Sequence, residues 1–151
     1  GLIIFGLMSL MFRSLKIGLI SIIPNATPLL VTFGYMGYAG INLNSTTIII
    51  FAIGLGLAVD DTIHVLARFR EELDREADVR RAILNTYFGA GRAIMLTSVL
   101  LLVGLSVLLF SNFIPTRQFG LLTSTTIAAA ILGDLILLPP LLYLVYRDNH
   151  P

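Results

Sequence analysis

Four side chains that can exchange protons lie within otherwise apolar stretches of this sequence. Asp60 and Asp61 are adjacent, His64 follows Asp60 by four residues, and Asp134 stands alone later in the chain. On a helix Asp60 and His64 share a face, whereas Asp61 lies about 100° away around the axis. Neighbouring carboxyls in a low-dielectric medium can take up and release a proton near neutral pH. The spacing therefore predicts a proton or cation relay at Asp60 and Asp61.

Both His64 and Asp134 have a structural explanation as well as a chemical one. We expect His64 to be a packing or membrane-interface histidine, with a relay role as the alternative. Asp134 can serve as an interhelical hydrogen-bond anchor or can support the relay, since it has a similar estimated depth and can line the same cavity. The absence of cysteine excludes disulfides and thiolate metal sites, and the sequence predicts no metal site and no cofactor other than the coupling ion.

The composition identifies the elements that must position these residues. The 151 residues are 56% hydrophobic and 13% charged, and the mean hydropathy is +0.91, which excludes a water-soluble globule. A spanning helix needs about 20 mostly apolar residues. We predict an all-α bundle of five spanning helices, the first of them truncated, at residues 1–12, 17–40, 46–66, 93–110 and 119–146.

The span 46–66 inserts only marginally by itself. It has eleven Leu, Ile, Val or Phe residues, worth about −3 to −7 kcal/mol in total, against about +5 to +7 kcal/mol for Asp60 and Asp61. The acidic face must therefore meet other helices or an internal pocket of water. Gly54 and Gly56 beside the acids, and Gly133 beside Asp134, are predicted to permit close helix packing.

Nine of the ten basic residues lie on one side of the predicted spans, since Arg117 is the one exception. By the positive-inside rule this asymmetry predicts a cytoplasmic C-terminus. The net charge of +1 gives nucleic-acid binding no support. The polar run 68–87 keeps a helical apolar stripe and is predicted to be an amphipathic helix on the cytoplasmic face. Asp78 can cap a second helical piece, which predicts a break near 75–78.

Prolines interrupt two of the predicted spans. Pro24 and Pro28 lie four residues apart in the span 17–40, where they can form a hinge or a kink that serves packing alone. Pro139 and Pro140 predict a similar bend near the end of the last span.

Several segments, taken in order, resemble the resistance-nodulation-division superfamily of transporters. The run IGLGLAVDDTIHVLARFREEL resembles its fourth or tenth membrane helix, and PNATPLLVTFGYMGYAGINLNSTT the preceding helix and loop. AIMLTSVLLLVGLSVLLFSNFIPTRQFGLL resembles the next helix and its exit, and GDLILLPPLL the last helix. Within the superfamily the chain is most similar to the MMPL-type exporters, many of which have Asp-Tyr in place of Asp60-Asp61.

The resemblance implies a function and the partners that go with it. Asp60 and Asp61 match the proton-relay positions, with sodium as the alternative ion, in an exporter of lipids or hydrophobic molecules in the bacterial inner membrane. The chain matches the last five helices of one half, with the C-terminal half favoured. The implied partners are the other half, an extracytoplasmic porter domain, membrane lipids, a hydrophobic substrate and an oligomer.

Three other classes of function are weaker alternatives. A sterol-sensing or scaffolding membrane module has no need of ionisable Asp60 and Asp61. A Sec-type protein-export accessory subunit shares a similar Asp-Thr-Ile run, but its Asp-Arg-Ile-Arg ending is replaced here by residues 67–70. Enzymes are disfavoured, because Asp134 lacks the Gly-x-Gly-Asp of intramembrane aspartyl proteases and no second acidic cluster completes a magnesium site.

Overall fold

The computed structural model describes residues 15–76 and 78–147, together with residues 3, 6, 7 and 10. Its helices are α1 (Leu15–Ala39), α2 (Ser45–Arg75), α3 (Val79–Thr86), α4 (Arg92–Ser106), α5 (Ile114–Leu132) and α6 (Leu138–Arg147). No strand occurs in this part of the chain, so the all-α class is confirmed.

Four helical rods are long and apolar enough to cross a membrane, and they cover Leu15–Ala39, Ser45–Arg75, Val79–Phe110 and Ile114–Arg147. The predicted first span, 1–12, lies outside the described residues except for four isolated positions. The predicted count of five spans is therefore not confirmed, and the described residues contain four candidate spans.

The predicted amphipathic helix at 68–87 is not a separate element. Asn44 begins α2 with a capping box that involves Thr47, and the 31 residues of α2 extend for about 46 Å, well beyond the hydrocarbon thickness. The chain leaves the helix at Glu76, and Asp78 caps α3 by accepting a hydrogen bond from the Arg80 amide. The break near 75–78 is thus confirmed, and the polar run divides between the end of one rod and the start of the next.

Both of the last two rods contain a π-helical turn. Tyr87–Gly91 joins α3 to α4, and Gly133–Leu137 joins α5 to α6. Pro139 and Pro140 follow the second turn, and because they have no N–H they cannot supply α-helical donors to the carbonyls of Leu135 and Ile136 in that turn. The Leu138 amide donates instead to Gly133, five residues back. Wider turns of this kind often mark functional sites.

Helix α5 packs against α1, α2 and α4 and forms the centre of the bundle. The threonine hydroxyls of Thr32 on α1 and Thr126 on α5 lie 2.7 Å apart and join these helices. By contrast, many large apolar side chains on the outer faces are exposed, among them Leu100 at 70% and Phe110 at 88%. Exposed apolar surface of this extent fits contact with lipid or with further helices.

Helix α1 continues through Pro24 and Pro28. Side chains bond to the backbone around them, since Asn25 donates to the Ser21 carbonyl and Thr32 to the Pro28 carbonyl. Whether the prolines act as a hinge stays a prediction.

Candidate functional site

Three consecutive residues of α2 point to three different surroundings. The Asp60 side chain is 68% exposed, and its Oδ1 lies 3.7 Å from Nε2 of His64, which is equally exposed. Asp61 is half-buried and faces α4, where the Ser98 hydroxyl donates to its Oδ2 over 3.5 Å. Thr62 is buried against α1 and the π turn before α6. This division follows from the 100° that separates successive residues on a helix.

A cleft of about 590 Å³ opens beside the two acids. The α2 wall carries ionisable groups, and the opposite wall is formed mainly by small and apolar residues of α4 and α5. The ionisable residues of the α2 wall are Asp60, Asp61, His64, Arg68 and Glu71. Both acids of the predicted pair therefore line one cavity, together with the histidine.

Arg68 brings positive charge to this cleft. Its guanidinium contacts Glu71 at 3.0 Å and the buried Glu72 at 2.6 Å. These two carboxylates hold Arg68 on the wall of the cleft, one turn beyond His64. Arg68 was expected only as the start of the amphipathic run 68–87, and its place beside the cleft was not predicted.

Asp134 lies outside the cleft, which differs from the expectation that it shares a cavity with Asp60 and Asp61. It is 2% exposed and sits in the π turn before α6. Thr62 donates to its Oδ1 over 2.8 Å, whereas Oδ2 meets no donor among the described residues. An unpaired oxygen of a buried carboxyl is costly and offers a place for a proton or a cation.

Thr62 and Tyr87 join Asp134 to neighbouring helices, and Thr62 also reaches Asn25 on α1. The Thr62 hydroxyl is also 3.4 Å from Oδ1 of Asn25 and 3.0 Å from the Ala58 carbonyl. Since a hydroxyl has one hydrogen and two lone pairs, Thr62 can donate to one of these acceptors at a time and can exchange them. The Tyr87 hydroxyl donates to the Asp134 carbonyl over 2.6 Å.

The three glycines that were predicted to permit close helix packing differ in how much space surrounds them. A β-carbon at Gly54 would lie 2.5 Å from Cγ2 of Thr126, and one at Gly133 would lie 3.2 Å from the Pro24 carbonyl oxygen. Gly54 and Gly133 therefore allow close approach of α2 to α5 and of the π turn to α1. A β-carbon at Gly56 would meet nothing within 4 Å, so the described structure gives Gly56 no packing role.

Sequence reasoning missed three neutral partners of Asp61 and Asp134, which are Ser98, Thr62 and Tyr87, and it missed Asn25, which contacts Thr62. Each is polar within an apolar span, and that is a signal for contact between helices. Many other serines and threonines also lie within apolar spans, so this pattern does not show which residue contacts which acid. Among the described residues, no three His, Asp or Glu side chains cluster in a way that could hold a metal ion.

Comparison with known proteins gives a family match over almost the whole chain. The family model described as the MMPL family matches residues 2–150. A membrane protein of Streptomyces coelicolor, SCO6666, is 38% identical over 90 residues, which cover 60% of this chain and 13% of the relative. The trehalose monomycolate exporter MmpL3 of Mycobacterium tuberculosis is 33% identical over 89 residues, covering 58% of this chain and 9% of the relative.

A more distant relative has a longer aligned region. The membrane protein MJ1562 of Methanocaldococcus jannaschii is 28% identical over 140 residues, which cover 93% of this chain and 36% of the relative. The chain thus spans a small part of the length of the curated relatives it matches. No solved structure matches the chain.

Proposed function

Because this chain belongs to the MMPL family, we propose that it is the membrane portion of a proton-driven exporter of lipids or hydrophobic molecules. Its four membrane-crossing helices and its similarity to membrane transporters make it an integral membrane protein. The relatives named as trehalose monomycolate exporters support a lipid as the substrate class. One observation carries the proposal: Asp60 and Asp61, on a helix long and apolar enough to cross a membrane, line a cleft between α2, α4 and α5.

Asp61 is the residue most suited to hold the coupling proton. It lies between the cleft, which can admit water and ions, and the Ser98 hydroxyl of α4. A charge on Asp61 changes the interaction between α2 and α4, because each charge state favours a different hydrogen-bonding arrangement with Ser98. Asp60 and His64 form the outer part of the relay, since both are exposed on the same face and lie within 3.7 Å of each other.

Asp134 has a supporting role in the proposed mechanism, as a buried carboxyl that is bonded to α2. Thr62 bonds to Asp134 and follows Asp61 directly in α2, so a movement of α2 that alters the cleft also alters the Asp134 contact. The membrane potential supplies about 2.3 kcal/mol per charge at 100 mV and each pH unit supplies about 1.4 kcal/mol. These energies are sufficient to shift a two-state arrangement of helices.

The proposed setting is the bacterial inner membrane with a cytoplasmic C-terminus, which the distribution of basic residues supports. The exporter activity would belong to a larger assembly with a second helical half and an extracytoplasmic porter domain, because each matched relative is much longer than the matched region. Sodium is the alternative coupling ion.

The test uses the full-length protein in proteoliposomes with trehalose monomycolate as the probe and an imposed pH or sodium gradient. Asp61→Asn is expected to reduce proton-driven transport at least tenfold with normal insertion, and Asp60→Asn is expected to reduce it as well. Asp74→Asn changes an exposed acid near the end of α2 and should transport normally. Full activity of both Asp60→Asn and Asp61→Asn would favour a scaffolding module, and transport driven by sodium alone would exclude the proton.

A further inference from the structure

The backbone carbonyl of Asp134 does not receive the hydrogen bond that a regular α-helix would give it. Its α-helical partner would be the Leu138 amide, which donates instead to Gly133. Its partner in a π turn would be the amide five residues later, and that residue is Pro139, which has no N–H. In the observed turn this carbonyl therefore receives neither its α-helical donor, because the Leu138 amide is used elsewhere, nor a π-helical donor, because Pro139 has none.

The hydroxyl of Tyr87 fills the vacant position from another helix. It donates to the Asp134 carbonyl over 2.6 Å, and the ring packs at the edge of the apolar core formed around Val65 and Leu138. Gly91, one turn after Tyr87, leaves room for the ring, since a β-carbon there would lie 3.2 Å from Tyr87 Cδ1. One hydrogen bond therefore joins the π turn of the third rod to that of the fourth.

We infer that Tyr87 is a positioning residue that holds the π turn open and so keeps the Asp134 carboxyl on Thr62. Without the hydroxyl, the Leu138 amide can return to Asp134 as in an ordinary α-helix, which satisfies the carbonyl but closes the turn. Closing a π turn rotates the residues before it relative to those after it, and Asp134 would then move away from α2. This inference rests on the proposed function only for its effect on transport.

A charged group near Asp134 would also change the pH at which Asp134 titrates, so the groups around it have to be known. Helix α2 contributes Thr62 together with Asp61, which acts on Asp134 electrostatically, and α1 contributes the neutral Asn25, which contacts Thr62. The third rod contributes Tyr87. Among the described residues, Asp61 is therefore the one carboxyl whose charge has to be held constant, which an Asp61→Asn background achieves.

The test is an infrared titration of the purified full-length protein in lipid nanodiscs. The carboxylic-acid band of Asp134 is the band that Asp134→Asn removes. Tyr87→Phe keeps the ring and deletes the hydroxyl, and it is expected to shift the pH at which this band is half lost. Tyr35→Phe is the matched control, because Tyr35 on α1 has no hydrogen-bond partner among the described residues, and its band should titrate as in the wild type.

Second-site variants separate positioning from simple loss of structure. Tyr87→Phe with Pro139→Ala restores an N–H that can reach Asp134 across the π turn, and it is expected to return the titration toward that of the wild type. Tyr87→Phe with Pro140→Ala supplies an N–H that reaches Leu135 or Ile136 instead, so it should not. If Tyr87→Phe alone cannot be recovered folded, recovery by the Pro139 change but not the Pro140 change supports the same conclusion.

Proton-driven transport gives a second, separate measurement. Tyr87→Phe is expected to slow it about fivefold to tenfold, the factor that corresponds to one net hydrogen bond. An unchanged band in Tyr87→Phe, or equal rescue by both proline changes, would overturn the positioning role. The infrared result does not depend on transport, so a failure of the exporter proposal and a failure of this inference can be distinguished.

Discussion

The close approach of α2 to α5 at Gly54 can be tested with a single methyl group. A β-carbon at this position would lie 2.5 Å from Thr126 Cγ2, about 1 to 1.5 Å closer than the best separation of two carbons. Either the helices separate, or Thr126 rotates and loses its bonds to Thr32 and to the Leu122 carbonyl. Such overpacking costs about 1–3 kcal/mol, and a hydrogen bond between membrane helices adds about 0.6 kcal/mol.

We therefore expect Gly54→Ala to destabilise the folded protein by about 2 kcal/mol, which reduces the folding equilibrium constant about 30-fold. The assay is equilibrium unfolding of the purified protein in mixed micelles with increasing denaturing detergent. Gly56→Ala is the matched control, since its β-carbon would meet nothing within 4 Å. Adding Thr126→Ser removes Cγ2 but keeps the hydroxyl, so Gly54→Ala with Thr126→Ser should recover most of the stability. Equal unfolding of Gly54→Ala and Gly56→Ala would refute the close contact.

Two further substitutions test the surroundings of Asp134 and the break after α2. Thr62→Val keeps the side-chain volume but leaves the Asp134 carboxyl with no donor, so the rate of transport should fall more than tenfold. Thr62→Ser keeps the hydroxyl and should transport at the wild-type rate. Equal rates in the two variants would contradict the role of the hydroxyl. Asp78→Ala removes the cap of α3 and should cost about 1 kcal/mol, seen as faster amide hydrogen exchange in Val79–Thr86. Asp78→Asn retains a capping oxygen and should exchange as the wild type does.

Local rules were sufficient to predict which segments are helical and where one of the breaks lies. Apolar length identifies membrane-crossing rods because a bilayer demands a minimum number of residues, and Asp78 marks the break because its side chain can cap an amide. The same rules misjudged the run 68–87. An isolated stripe of apolar residues does not show whether a helix continues from the preceding span, and α2 continues to Arg75.

The pairing of side chains across helices could not be predicted, because it depends on the register in which the rods pack. The position of Asp134 is an example. Its depth in the span suggested a shared cavity with Asp60 and Asp61, but its carboxyl bonds to Thr62 and to neither acid. The sequence predicted a bend near Pro139 and Pro140, since two adjacent prolines remove two N–H donors from one helix, but it did not predict the π turn. The sequence did not indicate that Tyr87, which lies on another rod, donates a hydrogen bond to the Asp134 carbonyl.

Because Asp61 and Thr62 are adjacent in α2, the contacts of the two residues depend on each other. Asp61 lines the cleft, and Thr62 donates a hydrogen bond to Asp134. Both contacts therefore depend on the orientation of one turn of α2. Because that turn is rigid, a rotation that improves the Asp61 contact with Ser98 must change the distance from Thr62 to Asp134. Asp134 in turn lies on a π turn that Tyr87 ties to the start of the third rod. In the proposed mechanism, a change of charge in the cleft would therefore affect three of the four rods through two hydrogen bonds, without a contact between the acids themselves.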